Sequence, residues 1–319
     1  MAAPTTTADV PSTAPEGEAG PGLTGDGVEQ LYAEIRDRVG VGVGAARAER
    51  PLELVAPGIA LLSLRTPTLP PATHTGCYLA GDRELIAIDP ASPWPDEQER
   101  LAATVAARGR LALIALTHHH ADHVGAAVDL ARRTGAVIAA HRATAARLVG
   151  RVKVTRFLDD GEVLAADATR LRVLFTPGHA PGHLAFLDEA TGALVAGDLV
   201  AGVGTILIDP GEGHMATYLA SLERLLAIGV GALLPAHGPM IADGPAKLRE
   251  YLAHRHMREA RVAAALADEP SSLNALCAVA YADTPTALWP IAVRSLEAHL
   301  VKLGEDGRAR AIDGGWARA

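Results

Sequence analysis

The sequence predicts an α/β protein: a sandwich of two mixed β-sheets with helices outside, followed by a small helical module closed by a hairpin. Three observations carry that reading. Strand-like runs come first and βα units follow. The same succession then repeats, and from residue 243 onward strand signals vanish until the C-terminus.

Residues 1–27 are dominated by Ala, Pro, Thr, Gly and Glu, with no Lys or Arg before Arg36. Such a stretch buries too little apolar surface to offset its ordering entropy, so a disordered tail is expected. It has neither the basic-then-apolar order of a secretory signal nor the arginines of a mitochondrial presequence. A helix is expected over about Val28–Val39. Gly58–Arg65, Gly76–Gly81 and Glu84–Asp89 read as short strands punctuated by Gly and Pro. Pro95–Arg108 has helical period, and Leu111–Leu116 is the continuous apolar run of a buried strand. A helix (Val124–Thr134), a strand (Ala136–Ala140) and another helix follow. Strands are expected again at Leu171–Phe175, His183–Leu187 and Ala193–Ala196, then a helix at Met215–Ile228 and a strand at Ala232–Leu234.

Residues 28–242 are therefore expected to form one domain and 243–319 a second. In the second, Lys247–Ala267 is a long helical stretch, Ser271 and Ser272 can cap a short helix, and Ile291–Leu303 forms a third. Ala309–Ile312 and Trp316–Ala319, around Asp313-Gly314-Gly315, complete a hairpin. Three helices and a hairpin are the outline of a winged-helix module.

Composition narrows the function. Apolar residues are 49% of 319, enough for a large core, but aromatics are only 3%, so the core must be built from Ala, Leu and Val. The net charge of −8 excludes a basic protein that coats nucleic acid. Four of the acids, Asp9, Glu16, Glu18 and Asp26, lie in the tail, and residues 243–319 hold ten basic and ten acidic side chains. No apolar run approaches the ~20 residues of a membrane span, and a cytoplasmic location is expected. Cys77 and Cys277 make no disulfide scaffold and read as small buried hydrophobes. The 13 His are the excess that needs explaining.

Their placement gives it. His118-His119-His120-Ala121-Asp122-His123 directly follows a buried strand. In extended backbone, residues i and i+2 point the same way, so His118 and His120 can converge on one ion, with Asp122 and His123 offered to a neighbouring position. Imidazole and carboxylate together suit Zn²⁺ or another borderline first-row ion, Fe or Mn included, rather than Ca²⁺ or Mg²⁺. His179 in Thr176-Pro177-Gly178-His179, Asp198 after Gly197, and His237 in Pro235-Ala236-His237-Gly238 each lie just past a strand, beside Gly or Pro.

With those residues in view, the chain resembles the metallo-β-lactamase superfamily over roughly Leu52–Ala242. The resemblance implies that one metal takes His118, His120 and His179, that a second takes Asp122, His123 and His237, and that Asp198 bridges them. Asp89 would orient a ligand through a hydrogen bond, and His183 would brace the His179 loop. Further motifs are similar to the beta-lactamase-like-protein-2 group: Thr176-Pro177-Gly178-His179-Ala180-Pro181-Gly182-His183-Leu184, Gly204-Thr205, Tyr218 with Ser221-Leu222, and Tyr251–Glu259. That group carries a winged-helix-like domain in the same place, and its animal members are endoribonucleases acting on single strands.

The expected chemistry follows. A water shared by two cations loses its proton near neutral pH, and the hydroxide attacks a carbonyl or phosphorus while the metals stabilise the oxyanion. Asp122 or Asp198 accepts the proton. His119, His183 and His214 are candidates for the leaving-group acid. Short single-stranded RNA is the substrate the resemblance implies, and a small anionic thioester or ester, as in glyoxalase II, is the alternative. A winged-helix binding protein with a non-catalytic metal site is a third reading, and a homodimer is compatible with all three. Thr205, His254, Arg255 and Arg258 are the candidate substrate contacts. The arginines recur at helical spacing and either meet a phosphate or carboxylate near the metals or pair with Glu250 and Glu259.

Overall fold

A computed structural model describes residues 50–319; the expected tail and the Val28–Val39 helix lie outside the described residues. Strands β1 (Glu53–Ala56), β2 (Ile59–Arg65), β3 (His74–Ala80), β4 (Glu84–Ile88), β5 (Arg110–Ala115), β6 (Val137–Ala140) and β7 (Arg156–Phe157) form a seven-stranded sheet in chain order. It is antiparallel up to β4 and parallel from there on. The second sheet has the order β12-β11-β10-β9-β8, with β8 at Val163–Ala166, β9 at Thr169–Phe175, β10 at Leu184–Asp188, β11 at Leu194–Gly197 and β12 at Leu233–Pro235. Only its β11–β12 pair is parallel. Both sheets are mixed, as expected.

Alternation along the strands sorts the side chains into layers. Leu61, Ile86, Ile88, Leu113 and Ala115 face inward and meet Leu171, Val173, Leu184 and Phe186 of the second sheet. The intervening Leu62, Ala87 and Ile114 face outward onto Leu101 and Val105 of α1 (Pro95–Arg108). Leu130 joins the same cluster from the short helix α3 (Ala127–Thr134), which follows the single turn α2 (Ala121–Val124). Across the second sheet, Leu174, Ala185 and Leu194 meet Leu222 and Leu225 of α5 (Met215–Ile228) and Leu248 of α6 (Gly244–Ala265). Helix α4 (Arg142–Arg147) links β6 to β7. The result is helix, sheet, sheet, helix. Each fully buried Leu or Ile in these layers stabilises by about 1.5–3 kcal/mol relative to exposure.

The C-terminal module has its own core. Val262 of α6, Leu276 of α7 (Leu273–Ala280), and Leu296, Leu300 and Leu303 of α8 (Trp289–Glu305) pack together, with Trp316 from the β13–β14 hairpin (Ala309–Ile312, Gly315–Arg318) against them. Ser272 caps α7, its side chain accepting from Ala275 N. Helix α6 enters both cores: Leu248 and Tyr251 pack on the sandwich, Val262 in the module. It starts earlier than its apolar pattern suggests because Asp243 caps it, accepting from Ala246 N at 2.9 Å, with Pro245 in the first turn. Two further ties hold module and sandwich together. Arg294 of α8 donates twice to buried Asp209, at 2.6 and 2.8 Å, and His214 meets Glu305 at 2.8 Å.

Three strands escape a sequence reading. β1 is a short, exposed edge, β7 has two residues, and β8 is a four-residue Val-Leu-Ala-Ala alternation too short to register as a period. The helix expected over Val124–Thr134 starts later, as α3 at Ala127, and Val124 instead ends the separate turn α2, parted from it at Gly125-Ala126. No helix among the described residues is long and apolar enough to cross a membrane.

Candidate metal centre

Five strand ends deliver the site. Asp89 follows β4, the His118–His123 run follows β5, His179 follows β9, Asp198 follows β11 and His237 follows β12. Two glycines make the turns possible. Gly178 has φ +130°, and a Cβ there would lie 2.3 Å from the Tyr218 backbone. Gly197 has φ +51°, and a Cβ would lie 2.6 Å from His183 Nε2. The short α2 turn then carries Asp122 and His123 back over the strand ends.

Hydrogen bonds fix which nitrogen of each ring faces inward. Thr117 Oγ1 donates to Asp89 Oδ2 at 2.6 Å and so accepts from His118 Nδ1 at 2.9 Å, leaving His118 Nε2 with a lone pair. His179 Nδ1 donates to the Leu207 carbonyl at 2.9 Å. His120 Nε2 donates to Glu212 Oε1 at 2.5 Å, so its Nδ1 faces inward instead. That Nδ1 lies 2.9 Å from His118 Nε2 and 3.1 Å from His179 Nε2. In these tautomers three lone pairs point at one another with no hydrogen between them. A cation resolves that arrangement.

A second pocket adjoins it. His123 Nδ1 donates to Asp89 Oδ2 at 2.7 Å, and His237 Nδ1 to the His74 carbonyl at 3.2 Å. Their Nε2 atoms lie 3.4 and 3.3 Å from Asp198 Oδ1, while Asp198 Oδ2 lies 3.6 Å from His179 Nε2. Asp122 is 3.6 Å from His237 and 4.0 Å from His123. Asp198 thus addresses both pockets. His123 Nε2 and Asp198 Oδ1 are buried without a hydrogen-bond partner. Orphaned polar atoms at the centre of an otherwise satisfied network fit a divalent ion. His118, His120, His179 and Asp198 form one group able to hold a metal, and Asp122, His123 and His237 another.

The electrostatics divides the same residues. Burial drives His118 and His183 well below the ordinary histidine range and His179 down to about 4. Burial also opposes charge on His123 and His237, but the surrounding carboxylates together outweigh it, Asp198, Asp89 and Asp122 at His123 and Asp198 and Asp122 at His237, and both are raised. Burial pushes the Asp198 carboxyl up, and His237 and His123 more than reverse it. At His120 burial is opposed and outweighed by Glu212 and Asp122, so the first pocket sets two rings kept neutral by burial, His118 and His179, beside one raised ring, and the second holds carboxylate-facing rings.

Asp89 and His183 brace the framework. Asp89, held at φ +51°, also accepts from Thr117 N at 2.7 Å, so one carboxylate orients both His118 and His123. His183 Nδ1 donates to Thr176 Oγ1 at 2.9 Å, and its Nε2 accepts from Asp198 N at 3.1 Å, bracing the His179 loop and the Asp198 turn together. Glu212 is the residue that the sequence reading missed. It sits in Asp209-Pro210-Gly211-Glu212-Gly213 and binds His119 Nε2 at 2.8 Å as well as His120. The tie from Arg294 to Asp209 holds that turn against α8. An acid in a Pro-Gly turn ahead of a helix was its only signal. His214 caps α5 and meets Glu305, which makes it a structural residue rather than an acid for the leaving group.

A profile of the metallo-beta-lactamase superfamily matches residues 71–237, more than half of the chain. The chain belongs to that superfamily. A beta-lactamase-associated winged helix domain matches residues 272–316, which identifies the C-terminal module. The superfamily's fold implies divalent metal ions, in keeping with the His and Asp cluster. Among curated proteins, the lactamase-like protein adaB of Aspergillus niger is 33% identical over 196 residues, 60% of this chain and 58% of that protein. The lactamase-like protein vrtG of Penicillium aethiopicum is 33% identical over 221 residues, 67% of each. The chain thus spans under two thirds of the length of some of these relatives. A metallo-beta-lactamase family protein from Thermus thermophilus superposes with a TM-score of 0.69 at 26% identity, over 83% of this chain and all of that one. A beta-lactamase domain protein from Burkholderia ambifaria shares the fold, with a TM-score of 0.72 at 21% identity over 86% and 96%.

In this member of the superfamily the metal pockets open into a cleft of about 290 Å³. His120, Asp122, His179, Asp198 and His237 line it beside Leu69, Pro70 and Pro71 of the β2–β3 loop, Val203–Leu207, and Leu288 and Ile291 ahead of and within α8. All four candidate substrate contacts, Thr205, His254, Arg255 and Arg258, line it too. The two arginines differ. Arg258 holds Asp283 at 2.6 Å, whereas Arg255 pairs with no carboxylate among the described residues. Neither takes Glu250 or Glu259: Glu250 holds Lys247, and Glu259 holds Lys302 and Arg308.

Proposed function

We propose that the chain is a hydrolase using two divalent metal ions, zinc being the ion its His and Asp donors suit best, and that it cleaves small esters or thioesters with an apolar body. The cleft carries the choice of substrate. Leu, Ile, Val and Pro side chains give it apolar walls beside the His, Asp and Thr groups, and it offers Tyr281 as an aromatic and Arg255 as a cation without a carboxylate partner among the described residues. His118, His120 and His179 would hold one ion, Asp122, His123 and His237 the other, with Asp198 between them. When bound, such ions lower the pKa of water from 15.7 to about 7 and stabilise negative charge on an attacked carbonyl oxygen. Asp122, which lines the cleft, would take the proton of the attacking water, and Asp198, whose oxygens face both pockets, would keep them in register. Apolar walls exclude bulk water from the acyl group.

The phosphodiester reading rests on Arg255 alone. A strand of RNA needs a basic track and stacking faces. Six of the module's ten basic residues are held by carboxylates: Lys247 by Glu250, Arg258 and Arg261 by Asp283, Arg294 by Asp209, and Lys302 and Arg308 by Glu259. The same fact tells against a nucleic-acid-binding role for the winged helix.

A substrate panel on metal-loaded protein tests the choice. S-lactoylglutathione and simple thioesters are expected to be hydrolysed with kcat/KM at least about 100-fold above bis-p-nitrophenyl phosphate or short single-stranded RNA, the discrimination a shaped apolar pocket can supply. Preference for the phosphodiesters would overturn the ester reading.

A further inference from the structure

Arg255 is only 3% exposed, and a buried cation is normally compensated by a carboxylate. Here its Nη2 donates to the Ile206 carbonyl, its guanidinium lies 5.4 Å from the Tyr218 ring centroid, and its Nε has no acceptor among the described residues. Those contacts satisfy part of a five-donor fork and none of its charge. The surroundings are polar as well. Arg258 and His254 line the same cleft, and Thr205 and Ser295 bring hydroxyls to it. Behind them in α8, His299 is fully buried with neither ring nitrogen partnered, and burial together with the charge of Arg255 pushes it down to about 3. Asp283 answers Arg258, and no carboxylate among the described residues answers Arg255.

We propose that Arg255 is an anion-binding residue of the cleft, and that the substrate bears a carboxylate or phosphate on a short arm away from its scissile bond. That oxyanion would take the free N–H groups of Arg255 while the reacting carbonyl meets the metal pockets. The inference rests on the hydrolase reading for the reacting end only. Arg258 is then a positioning residue, since Asp283 holds its fork and its guanidinium packs 4.6 Å from the Tyr281 ring centroid.

The test compares paired thioesters on the metal-loaded enzyme. One pair ends in a carboxylate or its methyl ester, the other in a phosphate or its dimethyl ester. Wild type is expected to favour the anion in at least one pair by about 10- to 100-fold in kcat/KM, the scale of one charged hydrogen-bonded contact; the larger ratio tells carboxylate from phosphate. Arg255→Gln brings the ratio close to one, and Arg255→Lys, which keeps the charge in the same space, retains part of it. No preference in wild type, or an equal fall for anionic and neutral substrates in Arg255→Gln, overturns the proposal. Calorimetric binding of the non-hydrolysable N-methylamides to wild type and Arg255→Lys reads the same preference without turnover. Tighter binding of the anions, weakened in Arg255→Lys, supports the site even if no ester is cleaved, which would defeat the hydrolase reading alone. Equal binding of anion and neutral analogue defeats the site and leaves that reading standing.

Discussion

Asp198→Ala is expected to lower kcat/KM for the best substrate by about 10³-fold or more, at or beyond the loss from deleting one charge-stabilising group in an active site. Its two oxygens face different pockets: Oδ1 lies 3.3 Å from His237 and 3.4 Å from His123, and Oδ2 lies 3.6 Å from His179. One substitution therefore weakens both ion sites. The variant should carry fewer than two metal equivalents by elemental analysis. A fold defect is not expected to be the cause, because Ala at position 198 leaves Gly197, whose φ of +51° makes the turn, in place. Near-normal activity with full metal content would remove Asp198 from its bridging role.

Asp89→Asn is expected to weaken metal binding by about 10- to 100-fold, the usual effect of losing a partner that orients a ligand. The wild-type carboxylate accepts three hydrogen bonds, from Thr117 N, Thr117 Oγ1 and His123 Nδ1. Asn tolerates the left-handed backbone at this position and fills the same volume, but one oxygen becomes an NH₂. Whichever way the amide turns, a donor faces a donor. If it faces His123, that ring must give up its Nδ1 proton and carry one on Nε2, which points at Asp198. Metal competition titrations against a chromophoric chelator read the affinity directly. An unchanged affinity would mean that the orientation of His123 is set elsewhere.

Much of the site was legible because motif and topology coincide. His118, His120, Asp122, His123, His179, Asp198 and His237 follow apolar runs, the last three beside Gly, and those runs are strands whose ends meet at one edge of the sandwich. Strand alternation likewise predicts the two-sheet core that Leu61, Ile88 and Phe186 build. What was not legible depends on long-range pairing. Glu212 reaches His120 across 92 positions of sequence, and no local pattern announces it. Arg255 and Arg258 look alike on a helix, and only the position of Asp283 separates a paired arginine from an unpaired one. The late start of α3 at Ala127 was hidden because the apolar pattern runs on from Val124 through Ala126.

The central claim is that two bound ions and this cluster together perform the hydrolysis. The direct measurement is thioester turnover against metal content in one preparation, as ions are stripped by a chelator and restored stepwise. Activity should vanish with the metal and return in full only as two equivalents per chain are regained, with Asp198→Ala failing to recover. Full turnover by metal-free protein, or complete recovery with a single equivalent, would contradict it.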